Sequence, residues 1–169
     1  LQTKKILWMI SDPYGWNSGF QQNLLTPIGN NFEYSYGEHS VKINPFNHNQ
    51  IIVYDNGNSR SYTNPILPQD SYTRLVEYLV DPNSKTVTQT FQYGKSLGSE
   101  NYTPALGSVD YLSNSNNFFV CFGLIMKENN NSDIASDQGI PRIRFTEVDR
   151  SGKVYLDISI KNIDNTTPM

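Results

Sequence analysis

Apolar positions along the chain come in short runs rich in Ile, Val, Tyr and Phe, separated by clusters of Asn, Gly, Asp, Pro and Ser. β-Branched and aromatic side chains suit a pleated surface, and the polar clusters supply turns. The pattern predicts strands at Lys5–Ser11, His39–Asn44, Gln50–Asp55, Thr73–Val80, Thr86–Tyr93, Gly107–Leu112, Asn117–Ile125, Arg142–Val148 and Lys153–Lys161. No segment sustains an apolar stripe at the helical period, although Asp70–Tyr78 is briefly ambiguous. Pro82-Asn83-Ser84 and Arg150-Ser151-Gly152 read as hairpin turns. Asp55-Asn56-Gly57 reads as a hairpin-type turn with positive φ at Gly57. Asn129–Gln138 is polar and reads as a mobile loop.

The chain repeats itself. A shift of 68 residues places Tyr34 on Tyr102, Ser40 on Ser108, Val41 on Val109 and Asn49 on Asn117. The same shift places Arg74 on Arg142, Val80 on Val148, Asp81 on Asp149 and Lys85 on Lys153. Strands fall on strands and turns on turns, so each unit holds four strands, the content of a β-propeller blade. The expected fold is all-β: two four-stranded antiparallel blades, about residues 34–94 and 102–161, after an outer strand and connection over residues 1–33. Two blades cannot close a ring. The chain is then either a piece of a larger propeller or a pair of sheets packed as a sandwich.

Composition narrows the classes. A chain of 169 residues with 37% hydrophobic content can bury a real core. The net charge of −3 argues against a nucleic-acid surface, and no apolar stretch is long enough for a membrane span. The opening Leu1-Gln2-Thr3-Lys4-Lys5 is not a secretory signal, because Ser11-Asp12-Pro13 stops the apolar run that follows. The single cysteine, Cys121, excludes an intrachain disulfide and reads as a small buried hydrophobe. The two histidines, His39 and His48, lie too far apart for helical metal ligation, and no metal is expected.

Candidate chemistry gathers where the first strand of each unit begins. In a propeller that strand lines the central channel. His39 heads it in the first unit, and Gly107 holds the equivalent position in the second, leaving a glycine slot beside an imidazole. The competing reading is a hydrogen-bonded structural histidine. Glu38 precedes His39, but neighbouring strand residues face opposite ways, so another group is expected to hold the second ring nitrogen. Tyr102 and Thr103 precede the next inner strand and are candidate substrate contacts, while Ser108 is taken as structural. Arg60 has a planar fork suited to an oxyanion, although an arginine after a turn is usually solvated.

These residues also carry a resemblance. Lys5-Ile6-Leu7-Trp8-Met9-Ile10-Ser11-Asp12-Pro13 with Gly15-Trp16, Gly37-Glu38-His39-Ser40, and Val53-Tyr54-Asp55-Asn56-Gly57-Asn58 with Arg60 resemble the C-terminal portion of bacterial arylsulfate sulfotransferases. Tyr72-Thr73-Arg74-Leu75-Val76-Glu77-Tyr78, Tyr93-Gly94-Lys95 and Gly107-Ser108-Val109-Asp110-Tyr111 extend the match, which weakens after Leu112. The resemblance implies a six-bladed propeller with its active site at the channel. It implies transfer of a sulfuryl group from an aryl sulfate to a phenol, without a nucleotide donor or other cofactor. His39 then matches the histidine that is transiently sulfated, consistent with imidazole being a nucleophile at neutral pH. The family also uses an upstream Asp-Trp-x-His-x-Asn segment and a further histidine and arginine, which do not occur here. The resemblance therefore implies a fragment nearly inactive alone, which needs the upstream blades of its polypeptide. It implies export to the periplasm or cell surface. The alternative is a non-catalytic propeller, or a sandwich that binds a ligand or carbohydrate, because fold does not dictate function.

Overall fold

The computed structural model describes residues 5–125 and 142–161; the predicted loop Asn129–Gln138 lies outside them. Among the described residues nine strands form two sheets. They are β1 (Thr26–Ile28), β2 (Ser40–Asn44), β3 (Asn47–Asp55), β4 (Arg74–Asp81), β5 (Thr86–Tyr93), β6 (Ser108–Leu112), β7 (Asn117–Ile125), β8 (Arg142–Val148) and β9 (Val154–Lys161). The first sheet runs β1-β5-β4-β3-β2 and the second β6-β7-β8-β9. All pairings are antiparallel except β1 with β5. An offset of 68 residues separates Ser40 from Ser108, Arg74 from Arg142 and Thr86 from Val154, which open three of the four pairs of equivalent strands; Asn47 and Asn117, which open the fourth pair, are 70 apart. The internal repeat is therefore structural.

The first sheet departs from four antiparallel strands. Lys5–Ser11 forms no strand; Met9 alone makes an isolated parallel bridge to Leu24. The added strand is β1, which lies parallel to β5 and pairs Thr26 with Thr86. The apolar side chains of the opening segment are used otherwise. Trp8, Ile10 and Phe32 cover the outer face of the first sheet over Leu25, Ile51, Val53, Val76, Tyr78, Val80 and Val87. Between them a single helical turn, α1 (Ser18–Gln21), is capped by Asn17, whose Oδ1 accepts from the Gly19 amide at 3.0 Å.

The opposite face of the first sheet packs on the second. Ile52, Tyr54 and Leu75 meet Val109, Phe118, Val120, Phe122 and Val148, with Phe91 and Tyr93 at the margin. The middle strands β3 and β4 are thus covered on both faces. That is why Ile51-Ile52-Val53-Tyr54 is a continuous apolar run instead of an alternation. Over Phe118–Phe122, strand β7 turns its even positions to the first sheet and its odd positions outward. Cys121 consequently sits half-exposed on the outer face and not in the core, where burial still raises its thiol pKa. The leading strands β2 and β6 lie side by side. The Val109 amide donates to Ser40 Oγ at 3.5 Å, and Lys42 meets Asp110 at 3.6 Å.

Both predicted hairpin turns form, and equivalent aspartates close them. Asp81 Oδ1 accepts from the Asn83 and Ser84 amides at 2.9 and 3.2 Å. Asp149 Oδ1 accepts from the Ser151 and Lys153 amides at 2.7 and 3.0 Å. Asp55-Asn56-Gly57 is not a hairpin turn. Gly57 has positive φ as expected, but the chain continues through residues 58–73 before β4 begins. Gly57 is needed for close approach: a Cβ there would lie 2.2 Å from the Tyr72 carbonyl oxygen.

Candidate functional site

His39 stands at the threshold of β2, its amide donating to the Tyr54 carbonyl at 3.2 Å, while its side chain is exposed. Nδ1 lies 2.7 Å from Asn56 Oδ1 and 3.2 Å from the Gly37 carbonyl oxygen. The orientation of the Asn56 amide is decided at its other end. Its Nδ2 donates to the Thr103 carbonyl at 2.8 Å and to the Leu106 carbonyl at 3.0 Å. Two carbonyl acceptors leave that end no role but the NH₂ group, so Oδ1 faces the imidazole. Nδ1 then meets two oxygens that can only accept, and must carry the ring proton. In the neutral ring the lone pair is on Nε2. An exposed imidazole held in this tautomer is equipped to act as a nucleophile or a base.

The sequence pointed to a second group on the ring without identifying it; that group is Asn56, not Glu38. Asn56 is fully buried and anchored from several sides. Its carbonyl oxygen accepts from Thr73 Oγ1 at 2.9 Å, and Thr73 Oγ1 in turn accepts from the Thr103 amide at 2.7 Å. Thr103 Oγ1 lies 2.7 Å from the Tyr54 hydroxyl. Burial pushes the Tyr54 phenol well above its ordinary range, so it acts as a neutral hydroxyl. One residue earlier, Asp55 accepts from the Tyr36 amide at 2.9 Å, Arg74 Nε at 2.7 Å and Arg60 Nη1 at 3.1 Å. The C-terminal end of β3 is thereby fastened to three other segments, and Asn56 inherits its position.

The other candidates stand in different roles from one another. Thr103 is fully buried and reaches His39 only through Asn56. Tyr102 is nearly as buried, and its hydroxyl donates to Asn58 Oδ1 at 2.9 Å. Arg60 is not solvated: its side chain is 8% exposed, paired with Asp55, and its guanidinium stacks 3.4 Å over the Tyr72 ring. Nη2 also donates to the Tyr72 carbonyl. The slot at Gly107 is not empty, since a Cβ there would lie 2.2 Å from the Tyr54 ring. His48 lies in β3 and is exposed, apart from this cluster. Among the described residues, no three of His, Cys, Asp and Glu gather to hold a metal ion, and no helix is long and apolar enough to cross a membrane.

The arylsulfotransferase (ASST) profile matches residues 1–167. The chain belongs to the arylsulfotransferase family. It is similar to an arylsulfate sulfotransferase AssT of Lelliottia amnigena, 30% identical over 138 residues, which are 72% of this chain and 23% of that protein. It is also similar to AssT of Escherichia coli O6:H1, 28% identical over 132 residues, 69% of this chain and 22% of the relative. The chain thus spans less than a quarter of the length of the curated relatives it matches. Within this arylsulfotransferase chain, Asn56 is the site residue that sequence reasoning missed. An asparagine between Asp and Gly carries the signature of a turn, and nothing local separates it from one whose amide is buried.

Proposed function

We propose that this chain carries the nucleophile of an arylsulfate sulfotransferase and contributes two blades to a β-propeller. The observation that carries the reading is the fixed tautomer of His39, with Nδ1–H held by Asn56 Oδ1 at 2.7 Å and Nε2, on an exposed ring, unpartnered among the described residues. In this reading the Nε2 lone pair attacks the sulfur of an aryl sulfate. The N–S bond forms as the S–O(aryl) bond breaks, and the electron pair leaves with the phenolate. The oxygen of a second phenol then attacks sulfur, the N–S bond breaks and its electron pair returns to Nε2. The acceptor's proton passes through solvent to the released phenolate, so the ring ends as it began.

While sulfur is bound to Nε2 the ring carries positive charge, with Nδ1 still protonated. The oxygens of Asn56 and Gly37 are pre-oriented toward that charge. An amide oxygen does not take the proton, so the sulfated ring remains cationic and a good leaving group. Thr103 and Thr73 are positioning residues that act through Asn56. Arg60, with its charge met by Asp55, holds the loop.

The propeller reading is supported by the near-equal spacing of the strands in the two units, by β2 lying beside β6, and by the apolar outer face of the second sheet. There Phe119 stacks on Phe145 at 6.1 Å, and Leu156 and Ile158 stand exposed beside them. Further blades of the same polypeptide would supply the donors that grip the sulfate oxygens, leaving this chain nearly inactive alone. Export to the periplasm or cell surface belongs to the same reading. Peptide mass mapping of the full-length protein, mixed with an aryl sulfate and kept mildly alkaline, tests it. A sulfuryl adduct on His39, lost in His39→Asn, is the expected result. An unmodified His39 in a folded protein that turns over the substrate would overturn it, and rapid turnover by residues 1–169 alone would overturn the dependence on further blades.

A further inference from the structure

Followed across their hydrogen-bonded rungs, the two sheets match. Ser40 lies opposite Tyr54, which lies opposite Leu75 and then Tyr93. From Ser108 the same walk passes Cys121, Phe145 and Ile158. On the next rung of the same face stand Ile52, Glu77 and Phe91 in the first sheet, and Phe119, Glu147 and Leu156 in the second. Residues opposite one another on a rung point to one face. The outer face of the second sheet is therefore the counterpart of the face by which the first sheet receives the second.

The interface already formed shows what such a face takes. Ile52, Tyr54 and Leu75 press on the apolar inner face of the second sheet, and Phe91 stacks on Phe118 with ring centres 4.9 Å apart. Glu77, in the middle, accepts from both terminal nitrogens of Arg150, in the β8–β9 turn, and from the Tyr111 hydroxyl on β6. On the counterpart face every apolar position is apolar again, and the carboxylate recurs as Glu147. What differs is the cover. Glu77 is fully buried and Glu147 only half-buried. Asn117 Nδ2 donates to Glu147 Oε1 at 2.6 Å, and no basic side chain pairs with Glu147 among the described residues. Leu156 and Ile158 are 37% and 46% exposed, where Phe91 and Tyr93 are half-buried.

We infer that Glu147 is the ionic receptor of this outer face, which docks a third sheet of the same polypeptide and takes an arginine from the hairpin turn after that sheet's third strand. The inference rests on the reading of the chain as two propeller blades, and adds the charge that the neighbouring blade must bring. A carboxylate in the middle of a covered apolar face is costly unless it is paired, and the guanidinium fork meets both its oxygens at once. A second copy of residues 1–169 offers no matching surface. The inner face of its second sheet is packed on its first, and the outer face of its first lies under Trp8, Ile10 and Phe32.

Cys121 lies in this face and reports on its cover. In the native full-length protein, alkylation of Cys121 by iodoacetamide, followed by peptide mapping, is expected to run at least about 100-fold slower than in urea, because a covered group reacts only through opening. Glu147→Lys sets a like charge against the arginine and should speed that reaction about tenfold or more in the folded protein. Glu147→Gln, which keeps an accepting oxygen, should speed it less, and it carries the comparison if the lysine variant does not fold. 4-Benzoylphenylalanine in place of Leu156 should crosslink on irradiation to a segment of the same polypeptide outside residues 1–169, at a turn that holds an arginine. Free alkylation of Cys121 in the folded protein, or a crosslink to a second copy, overturns the third sheet and the blade reading with it. A protected Cys121 whose rate is the same in both Glu147 variants overturns the ion pair and leaves the blade reading standing. Sulfation of His39, scored on the same samples, reports on the nucleophile independently of either result.

Discussion

Arg150, in the last hairpin turn of the second sheet, closes both its terminal nitrogens on Glu77 in the middle of the first, at 2.6 and 2.8 Å. Glu77 is fully buried and also accepts from Thr90 at 2.7 Å and Tyr111 at 3.1 Å. One carboxylate thus gathers donors from both sheets at the centre of their interface.

Removal of the arginine leaves that carboxylate buried without its cation. Arg150→Met is expected to destabilise by about 2–3 kcal/mol, below the usual cost of breaking a buried pair because Arg150 is itself a third exposed. Denaturant unfolding of the single and double variants checks it. Arg150→Met with Glu77→Leu should recover much of the loss, and a double variant no better than the single one would refute the account.

Asn56→Ala frees the imidazole to rotate and to exchange tautomers. Activity is expected to fall about 10²-fold, the scale of a misplaced catalytic group. The rate of His39 sulfation should fall with it. Loss of the amide also strands the Thr103 and Leu106 carbonyls, a cost of about 1–3 kcal/mol. Circular dichroism separates the two effects. A folded variant that sulfates His39 at the parent rate would remove Asn56 from the mechanism.

Gly107→Ala places a methyl group against the Tyr54 ring at a residue with φ +111. Strain and overpacking add here, so a loss of at least about 2 kcal/mol is expected. Tyr54 should shift and loosen Thr103 and Asn56 with it, lowering activity as well as the thermal midpoint. An unchanged midpoint would mean the ring moves aside freely.

Acid should weaken the hairpins of the second sheet. Asp149 is held at about 2, first by the Ser151 hydroxyl and then by the Lys153 and Ser151 amides. Asp157 is lowered chiefly by Arg144, which pairs with it at 2.7 Å. A carboxylate depressed in the folded state stabilises above its unfolded pKa, near 3.8 here, and that contribution is lost as pH falls through the folded value. Thermal midpoints should therefore drop between about pH 4 and pH 2. Asp149→Asn should flatten part of that drop. An identical acid profile in the variant would show that the turn carries none of it.

What the sequence determined was what depends on neighbours along the chain. Alternation and turn residues located eight of the nine strands to within a few positions, because the side-chain period of a strand is local. The offset of 68 residues was legible for the same reason, and His39 stood out at the head of its strand. Tertiary structure decided which faces were covered and which side chains met. It turned Lys5–Ser11 from a strand into a cover for the first sheet, and it put Cys121 on an outer face. It filled the Gly107 slot with Tyr54. Above all it brought Asn56 to His39 by anchoring its amide on Thr103 and Leu106, 47 and 50 residues further on. Those carbonyls reach Asn56 only once the two sheets pack, and the pattern of a single strand carries no record of what its neighbour will present.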